Sequence, residues 1–408
     1  MLANLPRARS IMKEEGIDTI ILANPLNVYY ASDLASEFML GRFEDYCSAV
    51  IISSDSNIPT SLIMPEFDLP FLVESGTWIE NIYTYGNPWS SVGLFMGESL
   101  ESNLNTSLQK KLKIIRNELS HKQEPSFIDA VVRCINENAL SNSKVACDDL
   151  RLAKIIKDKG IVKENIADAL QIMRRIRIVK TELELEIMLR GAEINAGAIS
   201  AVIKSGKLGM PENNLTHIYR RYLVESEAKH LGDRGMMFGT GDGSNYSLPI
   251  KEDRVLEKGS AIVLDCLGTY NSYHMDLART AVVGNASKEQ LTRYNATIRA
   301  LEEVEDSIKP GVNTEDLRRL VKSTIASYGL RAEFTSVTTH GLGLEVFEFP
   351  FSDSLQNGFK LEKGMVVNTE VFYRDIDYGG FHLEDSVLVT ENGCSHLFKV
   401  SRDLVEFH

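Results

Sequence analysis

The first part of the chain alternates between helical and strand-like patterns of hydrophobic positions. RARSIMKEEG predicts an amphipathic helix that ends at Gly16, and TIILA directly after it predicts a buried strand. The same two patterns recur further along, with strands at CSAVIISS, TSLIMP and KVACDDL and helices at QKKLKIIRNELS and SFIDAVVRCINENAL. This alternation predicts an α/β domain with short, partly parallel strands.

A change of pattern near residue 168 predicts a domain boundary. The segment IADALQIMRRIRIVK leads there into the long helical pattern of TELELEIMLRGAEINAGAISAVI. Thr181 is expected to cap this helix, with Glu184 as the reciprocal partner of a capping box. One apolar stripe is predicted to face the core; it consists of Leu183, Ile187, Ile194, Ala198 and Val202. We therefore expect an N-terminal domain over residues 1–168 and a second domain over 169–408.

The second domain mixes helices with longer strands. SAIVLDCLGTY and MDLARTAVVG predict one antiparallel pair of strands, and GMVVNTEVFY and FHLEDSVLVT predict another. LTHIYRRYLVESEAKHL predicts one of the helices. The expected fold is an α+β domain with a curved antiparallel sheet.

Composition limits the classes of partner. At 408 residues the chain is long enough for two domains, and 43% hydrophobic with 25% charged residues is typical of a soluble globular protein. The net charge of −13 argues against nucleic acid or an anionic membrane as a partner. No signal peptide or membrane-spanning run is evident. The five cysteines lack C-x-x-C spacing, which favours reduced thiols and a cytoplasmic location.

Four carboxylates and one imidazole stand out in the predicted strands and turns of the second domain; they are Asp265, Asp276, His340, Glu370 and Glu384. Asp265 and Glu370 are flanked by apolar residues, where a lone carboxylate is costly to bury. Because side chains alternate along a strand, each strand can direct one carboxylate into a common cavity. This is the ligand inventory for a pair of divalent cations.

The chain resembles the creatinase/prolidase superfamily, the pita-bread proteins that include proline-specific aminopeptidases, prolidases and methionine aminopeptidases. The resemblance covers nearly the whole chain, and its motifs occur in the family's order. They are GIDTIILANPLNVYYASD, RIVKTELELEIMLRGAE, VLDCLGTYNSYHMDLART, THGLGLEVFEFP, GMVVNTE and HLEDSVLVTENG. The resemblance implies a creatinase-type N-terminal domain followed by a pita-bread catalytic domain.

The resemblance also implies roles for the five residues. Asp276 and Glu384 are expected to be shared by two metal ions, and Asp265, His340 and Glu370 are expected to complete the coordination. Manganese, iron, cobalt and zinc all suit such a site. Arg279 is expected either to orient the carboxylates or to be an exposed strand residue.

Four positions depart from the family's peptidases. Ile250 and Phe347 stand where the family usually has histidines that contact the scissile carbonyl, the tetrahedral intermediate or the leaving group. His382 replaces an arginine two positions before the last glutamate, and Thr339 replaces a glycine before the motif histidine. Removing one such donor typically lowers the rate ~10²–10³-fold. These departures argue against a standard Xaa-Pro peptidase.

Other residues are candidates for the missing roles. His274 and His382 each lie two positions before a predicted ligand and should project to the same face of their strands. Tyr246, with Asn245, lies in the loop that faces the metals in the family. Glu348 is a candidate general acid or base, or alternatively a cap for the following turn.

The resulting interpretation is a dinuclear metal hydrolase that cleaves a C–N bond in a small polar substrate. Three alternatives remain at this point: an Xaa-Pro dipeptidase or aminopeptidase, a metal-dependent lyase of the dimethylsulfoniopropionate-lyase type, and a non-catalytic metal-binding protein. The resemblance also implies a homodimer in which the partner's N-terminal loop covers the site. Residues 37–46 and the loop around Trp89 are the candidates for that loop.

Overall fold

A computed structural model describes residues 1–40, 47–86, 107–230, 236–237, 239–246, 254–351 and 358–408. The chain divides into two compact units, Met1–Arg177 and Ile178–His408. The division falls later than the predicted boundary at 168, because the strand and helix that follow Ile166 still belong to the first unit. Within the described ranges, no helix is both long enough and apolar enough to span a bilayer.

The first unit is an α/β domain built on one mixed sheet. Its helices are α1 (Leu5–Glu14), α2 (Pro25–Ser32), α3 (Glu37–Leu40), α4 (Leu69–Ser75), α5 (Ser107–Leu119), α6 (Phe127–Glu137), α7 (Leu150–Asp158) and α8 (Leu170–Arg177). Its strands are β1 (Thr19–Leu22), β2 (Ala49–Ser53), β3 (Ser61–Pro65), β4 (Asn81–Tyr85), β5 (Gln123–Glu124), β6 (Val145–Cys147) and β7 (Ala167–Asp168). The order in the sheet is β5-β4-β3-β2-β1-β6-β7. Parallel and antiparallel pairings occur together, which confirms the predicted α/β pattern.

The second unit is an α+β domain. Its helices are α9 (Glu182–Ser205), α10 (Glu212–Glu225), α11 (Asp242–Tyr246), α12 (Lys288–Ser307) and α13 (Thr314–Ser327). Its longer strands are β10 (Ala261–Tyr270), β11 (Tyr273–Val283), β12 (Thr335–Gly341), β14 (Val366–Asp375) and β15 (Gly379–Val389). The shorter strands are β8 (Lys229–His230), β9 (Met236–Met237), β13 (Glu348–Phe351), β16 (Cys394–His396) and β17 (Val405–Phe407).

The two predicted strand pairs form the centre of a single sheet. β10 pairs antiparallel with β11, and β14 pairs antiparallel with β15. An antiparallel pairing of β11 with β15 joins the two pairs, and β12 extends the sheet beyond β14. The main path through the described strands is β13-β12-β14-β15-β11-β10-β8.

Alternation along these strands separates two faces of the sheet. On β14, Val367, Val371 and Tyr373 belong to a buried apolar cluster with residues of α12 and α13. On β10, Leu264 and Cys266 belong to a second buried cluster with residues of α9 and α10. Since successive side chains point to opposite faces, the residues between these positions lie on the other face of the sheet. We call that second face the site face.

The helix α9 begins as predicted but presents a different stripe to the core. Thr181 and Glu184 form the capping box. Ile194, Ala198 and Val202 are buried, whereas Leu183 and Ile187 are half-buried. Glu184 and Met188 occupy the buried face of the first turns instead, and the carboxylate of Glu184 accepts a hydrogen bond from the hydroxyl of Tyr273.

Candidate metal centre

The strand register brings all five predicted metal ligands to the site face. Glu370 and Glu384 are direct cross-strand partners between β14 and β15. Ala278 is the partner of both Glu384 and Asp265, and Asp276 lies two residues before Ala278 on the same face. His340 on β12 is the partner of Asn368, two residues before Glu370. Residues far apart in the chain are therefore neighbours on five adjacent strands.

Two overlapping clusters have spacings suited to metal ions. Potential ligand atoms of Asp276, His340 and Glu384 lie within 4.8 Å of one another, as do those of Glu370, His382 and Glu384. The Nε2 atom of His340 lies 3.5 Å from Oε1 of Glu384 and 3.9 Å from Oδ2 of Asp276. Glu384 belongs to both clusters, which is the position expected for a shared ligand.

The carboxylates of the centre repel one another in a buried setting. Burial raises the pKa of Asp265 to about 7, and the charges of Glu384 and Glu370 add to this effect while His382 and His340 oppose it. Burial raises the pKa of Asp276 well above its usual range, with further contributions from Glu384, Asp265 and Glu370. A divalent cation would remove this repulsion, because it favours the ionised form of each carboxylate.

The donor set fits bound metal ions. Asp276 is buried, and its Oδ1 atom has no hydrogen-bond partner among the described residues. The Nδ1 atom of His340 lies 3.0 Å from the carbonyl oxygen of Gly341. A proton on Nδ1 would satisfy that carbonyl and leave Nε2, which faces Asp276 and Glu384, as the ligand atom. Burial lowers the pKa of His340, but Glu384 outweighs burial, and the net shift is upward.

Of the four residues predicted to act in catalysis, His382 lies against the predicted ligand Glu370. Its Nε2 atom donates to Oε2 of Glu370 at 2.9 Å, and the ring is buried. The imidazole stacks on the ring of Phe372, with centroids 4.7 Å apart and planes 7° apart. Its Nδ1 atom has no hydrogen-bond partner in the part of the chain that the structure describes. His382 is thus held firmly beside the centre.

Glu348 is held in a buried ion pair. Its Oε2 atom lies 2.9 Å from Nζ of Lys180, and its Oε1 atom accepts a hydrogen bond from the backbone N–H of Leu344. This environment gives the carboxylate a fixed position in the fold. Lys180 was not identified from the sequence, although a lysine directly before a helix cap was a visible signal.

His274 and Tyr246 have other surroundings. His274 lies on the site face, but its Nδ1 atom is 3.2 Å from the carbonyl oxygen of Gly343, and burial lowers its pKa. Tyr246 ends α11 with 59% of its surface exposed. Asn245 beside it is buried, and its side-chain amide has no hydrogen-bond partner among the described residues.

Arg279 lies on the helix side of the sheet. The expectation of an exposed strand residue is wrong, since the side chain is 1% exposed. Its guanidinium donates to Oδ1 of Asp385 at 2.7 Å and to the carbonyl oxygen of Glu384 at 2.9 Å. Arg279 therefore holds the backbone of β15 at the point where Glu384 projects to the opposite face.

Among the other residues that differ from the family pattern, Phe347 lies beside the predicted ligand His340. Phe347 is 57% exposed, and its ring centroid lies 4.7 Å from that of His340. Thr339 is buried on β12. Ile250 lies outside the described residues, as do Trp89 and residues 41–46.

Sequence reasoning missed Asn368. Its amide Nδ2 donates to Oε1 of Glu384 at 2.8 Å, and its Oδ1 accepts from the hydroxyl of Ser386. The signal was available, because Asn368 is a polar residue two positions before Glu370 and therefore projects to the same face of the strand. It orients the shared carboxylate from the neighbouring strand.

Comparisons with a family model and with related proteins point to the same family. Residues 186–391 match the model of metallopeptidase family M24. An Xaa-Pro dipeptidase of Pyrococcus furiosus is 27% identical over 99% of this chain and 100% of that protein. An Xaa-Pro dipeptidase of Pyrococcus horikoshii is 32% identical over 61% of this chain and 70% of that protein.

Solved structures show the same fold. A prolidase from Pyrococcus horikoshii superimposes with a TM-score of 0.74 at 23% identity, over 98% of this chain and 99% of its own. An Xaa-Pro dipeptidase from Bacillus anthracis gives a TM-score of 0.76 at 20% identity, over 98% of each chain. With the pita-bread fold and the matching family model, the chain belongs to metallopeptidase family M24 and is a metal-dependent hydrolase.

Proposed function

We propose that this protein hydrolyses a C–N bond in a small polar substrate and that standard Xaa-Pro dipeptides are poor substrates. Two divalent ions (manganese, iron, cobalt or zinc) would be held by the five predicted ligands on the site face, with Asp276 and Glu384 shared. Such ions supply Lewis-acid polarisation of the scissile carbonyl and activate a water molecule. The oxygen-rich donor set with one imidazole supports this choice of metals.

The observation that carries the proposal is the position of Phe347 and His382, two residues that differ from the family's peptidases, next to the predicted ligands. Phe347 lies against the ring of His340, and His382 donates to the carboxylate of Glu370. A phenylalanine cannot donate a hydrogen bond to a carbonyl or a tetrahedral intermediate. His340 and Glu370 therefore each have a neighbour that differs from the residue that the resemblance implies for a peptidase.

His382 is the residue best placed to take part in proton transfer. Its contact with Glu370 fixes the ring, and its buried Nδ1 atom has no hydrogen-bond partner among the described residues. Phe347 would form an apolar wall against which the substrate packs. Tyr246, His274 and Glu348 remain candidate catalytic residues on the basis of the sequence. In this structure Glu348 forms an ion pair with Lys180.

A substrate panel tests the proposal. Gly-Pro, Ala-Pro, non-proline dipeptides and N-acyl amino acid amides should be offered to protein loaded separately with manganese, cobalt, zinc and iron, with Asp276→Ala as the inactive control. We expect hydrolysis of at least one non-proline amide to exceed that of Gly-Pro. Turnover of Gly-Pro or Ala-Pro at an ordinary enzyme rate, ~10 s⁻¹, would contradict the proposal.

An Xaa-Pro dipeptidase is the second candidate. Its support is the name shared by the Pyrococcus relatives, one of which aligns over 99% of this chain. The same panel separates the two candidates, because a dipeptidase would cleave Gly-Pro with any metal that activates it.

A cytoplasmic location is also part of the proposal. Its support is that the five cysteines lack C-x-x-C spacing and that three of them, Cys134, Cys147 and Cys266, are buried thiols. Reduced thiols without a disulfide framework are typical of proteins in a reducing compartment.

A further inference from the structure

One arginine on the site face has no role in the metal centre. Arg374 lies on β14 four residues after the ligand Glu370, with Phe372 between them. Because side chains on one face of a strand recur every second residue, these three side chains form a row, with neighbours about 7 Å apart along the strand. The row leads from the metal ligands toward the end of β14.

The guanidinium of Arg374 is held in place by an aromatic ring. Its central carbon lies 3.7 Å from the centroid of Phe372. Phe372 in turn stacks on His382, which donates to Glu370. Phe372 is 4% exposed, so its ring is covered although it lies on the site face. The cation and the imidazole of His382 therefore both contact the ring of Phe372.

The charge of Arg374 is not neutralised by an ion pair within the described part of the chain. Asp375, next to it in sequence, points to the opposite face and pairs with Arg293 at 2.7 Å. Nη1 of Arg374 donates to the hydroxyl of Ser336 on the adjacent strand, which leaves other N–H groups of the fork for a ligand. Burial lowers the pKa of Arg374, and Glu370 opposes that shift. Binding of an anion would compensate the charge of this half-buried guanidinium.

We propose that Arg374 is a specificity residue that binds a carboxylate group of the substrate, with Phe372 as the residue that positions the guanidinium. A planar guanidinium can pair with both oxygens of a carboxylate, and stacking on a ring fixes the plane of that pairing. The inference rests on the proposed function, since it assumes that the scissile bond lies at the metal ligands. It assigns to the substrate an anionic group a few bonds from that bond.

A matched pair of ligands tests the role of Arg374. Gly-Pro and its C-terminal amide differ by one carboxylate, and their binding to the manganese-loaded and metal-free protein can be measured by titration calorimetry. We expect the acid to bind about ten- to a hundredfold more tightly than the amide, as for one hydrogen-bonded charged group. Arg374→Gln should remove this preference, and Arg374→Lys should restore part of it.

A control variant separates the proposal from a purely structural role. Arg331 also stacks on a phenylalanine, 4.1 Å from the ring of Phe334, but it is exposed and pairs with Glu333. Arg331→Gln should leave the acid-to-amide preference unchanged. An unchanged preference in Arg374→Gln, equal affinity for both ligands in the unmodified protein, or binding of neither ligand at millimolar concentration would each overturn the proposal.

This test is independent of turnover. Preference for the acid in the metal-free protein supports the role of Arg374 even if no amide in the substrate panel is hydrolysed. Conversely, hydrolysis without any preference for an anionic ligand supports the proposed function and rejects the role of Arg374.

Discussion

Nζ of Lys180 lies 2.9 Å from Oε2 of Glu348, and the two side chains are 0% and 4% exposed. The pair joins the segment before α9 to β13, close in sequence to the predicted ligand His340. Burial of two opposite charges is tolerated when they are paired and hydrogen-bonded, and here the backbone N–H of Leu344 satisfies the second carboxylate oxygen.

Removal of one partner should destabilise the second unit strongly. We expect Lys180→Met to lower the free energy of unfolding by about 3–5 kcal/mol, because it leaves a buried carboxylate without its cation. Lys154→Met is the matched control, since Lys154 and Asp158 are an exposed pair, and there the expected loss is at most about 1 kcal/mol. Denaturant unfolding measures both values.

The double variant Lys180→Met with Glu348→Leu should recover much of that stability, because it removes the unpaired charge. If the single variant were as stable as the unmodified protein, the ion pair would have no structural importance.

The carboxylate of Glu184 should make stability depend on pH. Burial raises its pKa from 4.5 to about 7, with Lys180 as the main opposing influence. The folded protein thus holds this proton more tightly than the unfolded chain, so stability from this group falls as pH rises between these two values. The expected loss across that window is about 3 kcal/mol.

Glu184→Gln should therefore gain stability relative to the unmodified protein as pH rises from 4.5 to above 7, because glutamine does not titrate. Glu182→Gln, at an exposed position in the same helical turn, should show no such change. Unfolding midpoints measured across this range check the prediction, and parallel curves for all three proteins would contradict it.

The metal centre should lose its ions when a shared ligand is removed. We expect about two divalent ions per chain in the loaded protein, as in two-metal hydrolytic sites. Asp276→Ala and Glu384→Ala should each lower that content markedly, because both residues are buried in the cluster around His340. Elemental analysis measures the ratio, with Glu333→Ala as an exposed control. Full metal content in both buried variants would reject the assignment.

Restoring a histidine at one position should not create a peptidase. We expect Phe347→His to leave turnover of Gly-Pro low, because His382 still occupies the position where the family has an arginine. Steady-state kinetics with each metal measures this change. A gain above ~10³-fold, the upper end of the usual contribution of one donor, would mean that Phe347 alone separates this protein from a dipeptidase.

We also propose a homodimer, on the basis of the family resemblance. Part of the candidate loop, α3, lies in the described residues, whereas residues 41–46 and Trp89 do not. Light scattering at micromolar concentration should give twice the monomer mass of 45.6 kDa. A monomer alone under these conditions would rule the dimer out.

The sequence by itself determined the two domains, most of their elements and the five candidate ligands. Strand alternation placed apolar residues on one face of β10 and β14, and isolated carboxylates in such strands indicated a buried polar site. The capping box at Thr181 and Glu184 followed from local hydrogen bonding, which depends on residues three positions apart.

Only the tertiary structure decided which side chains meet. The register of β14 with β15 places His382 against Glu370 and Phe372, and the pairing of β12 with β14 places Asn368 beside His340. The partnership of Lys180 with Glu348 joins residues that are 168 positions apart. Such contacts depend on long-range packing, and local periodicity carries no information about them. For the same reason the burial of Glu184 against Tyr273 could not be read from the helical pattern.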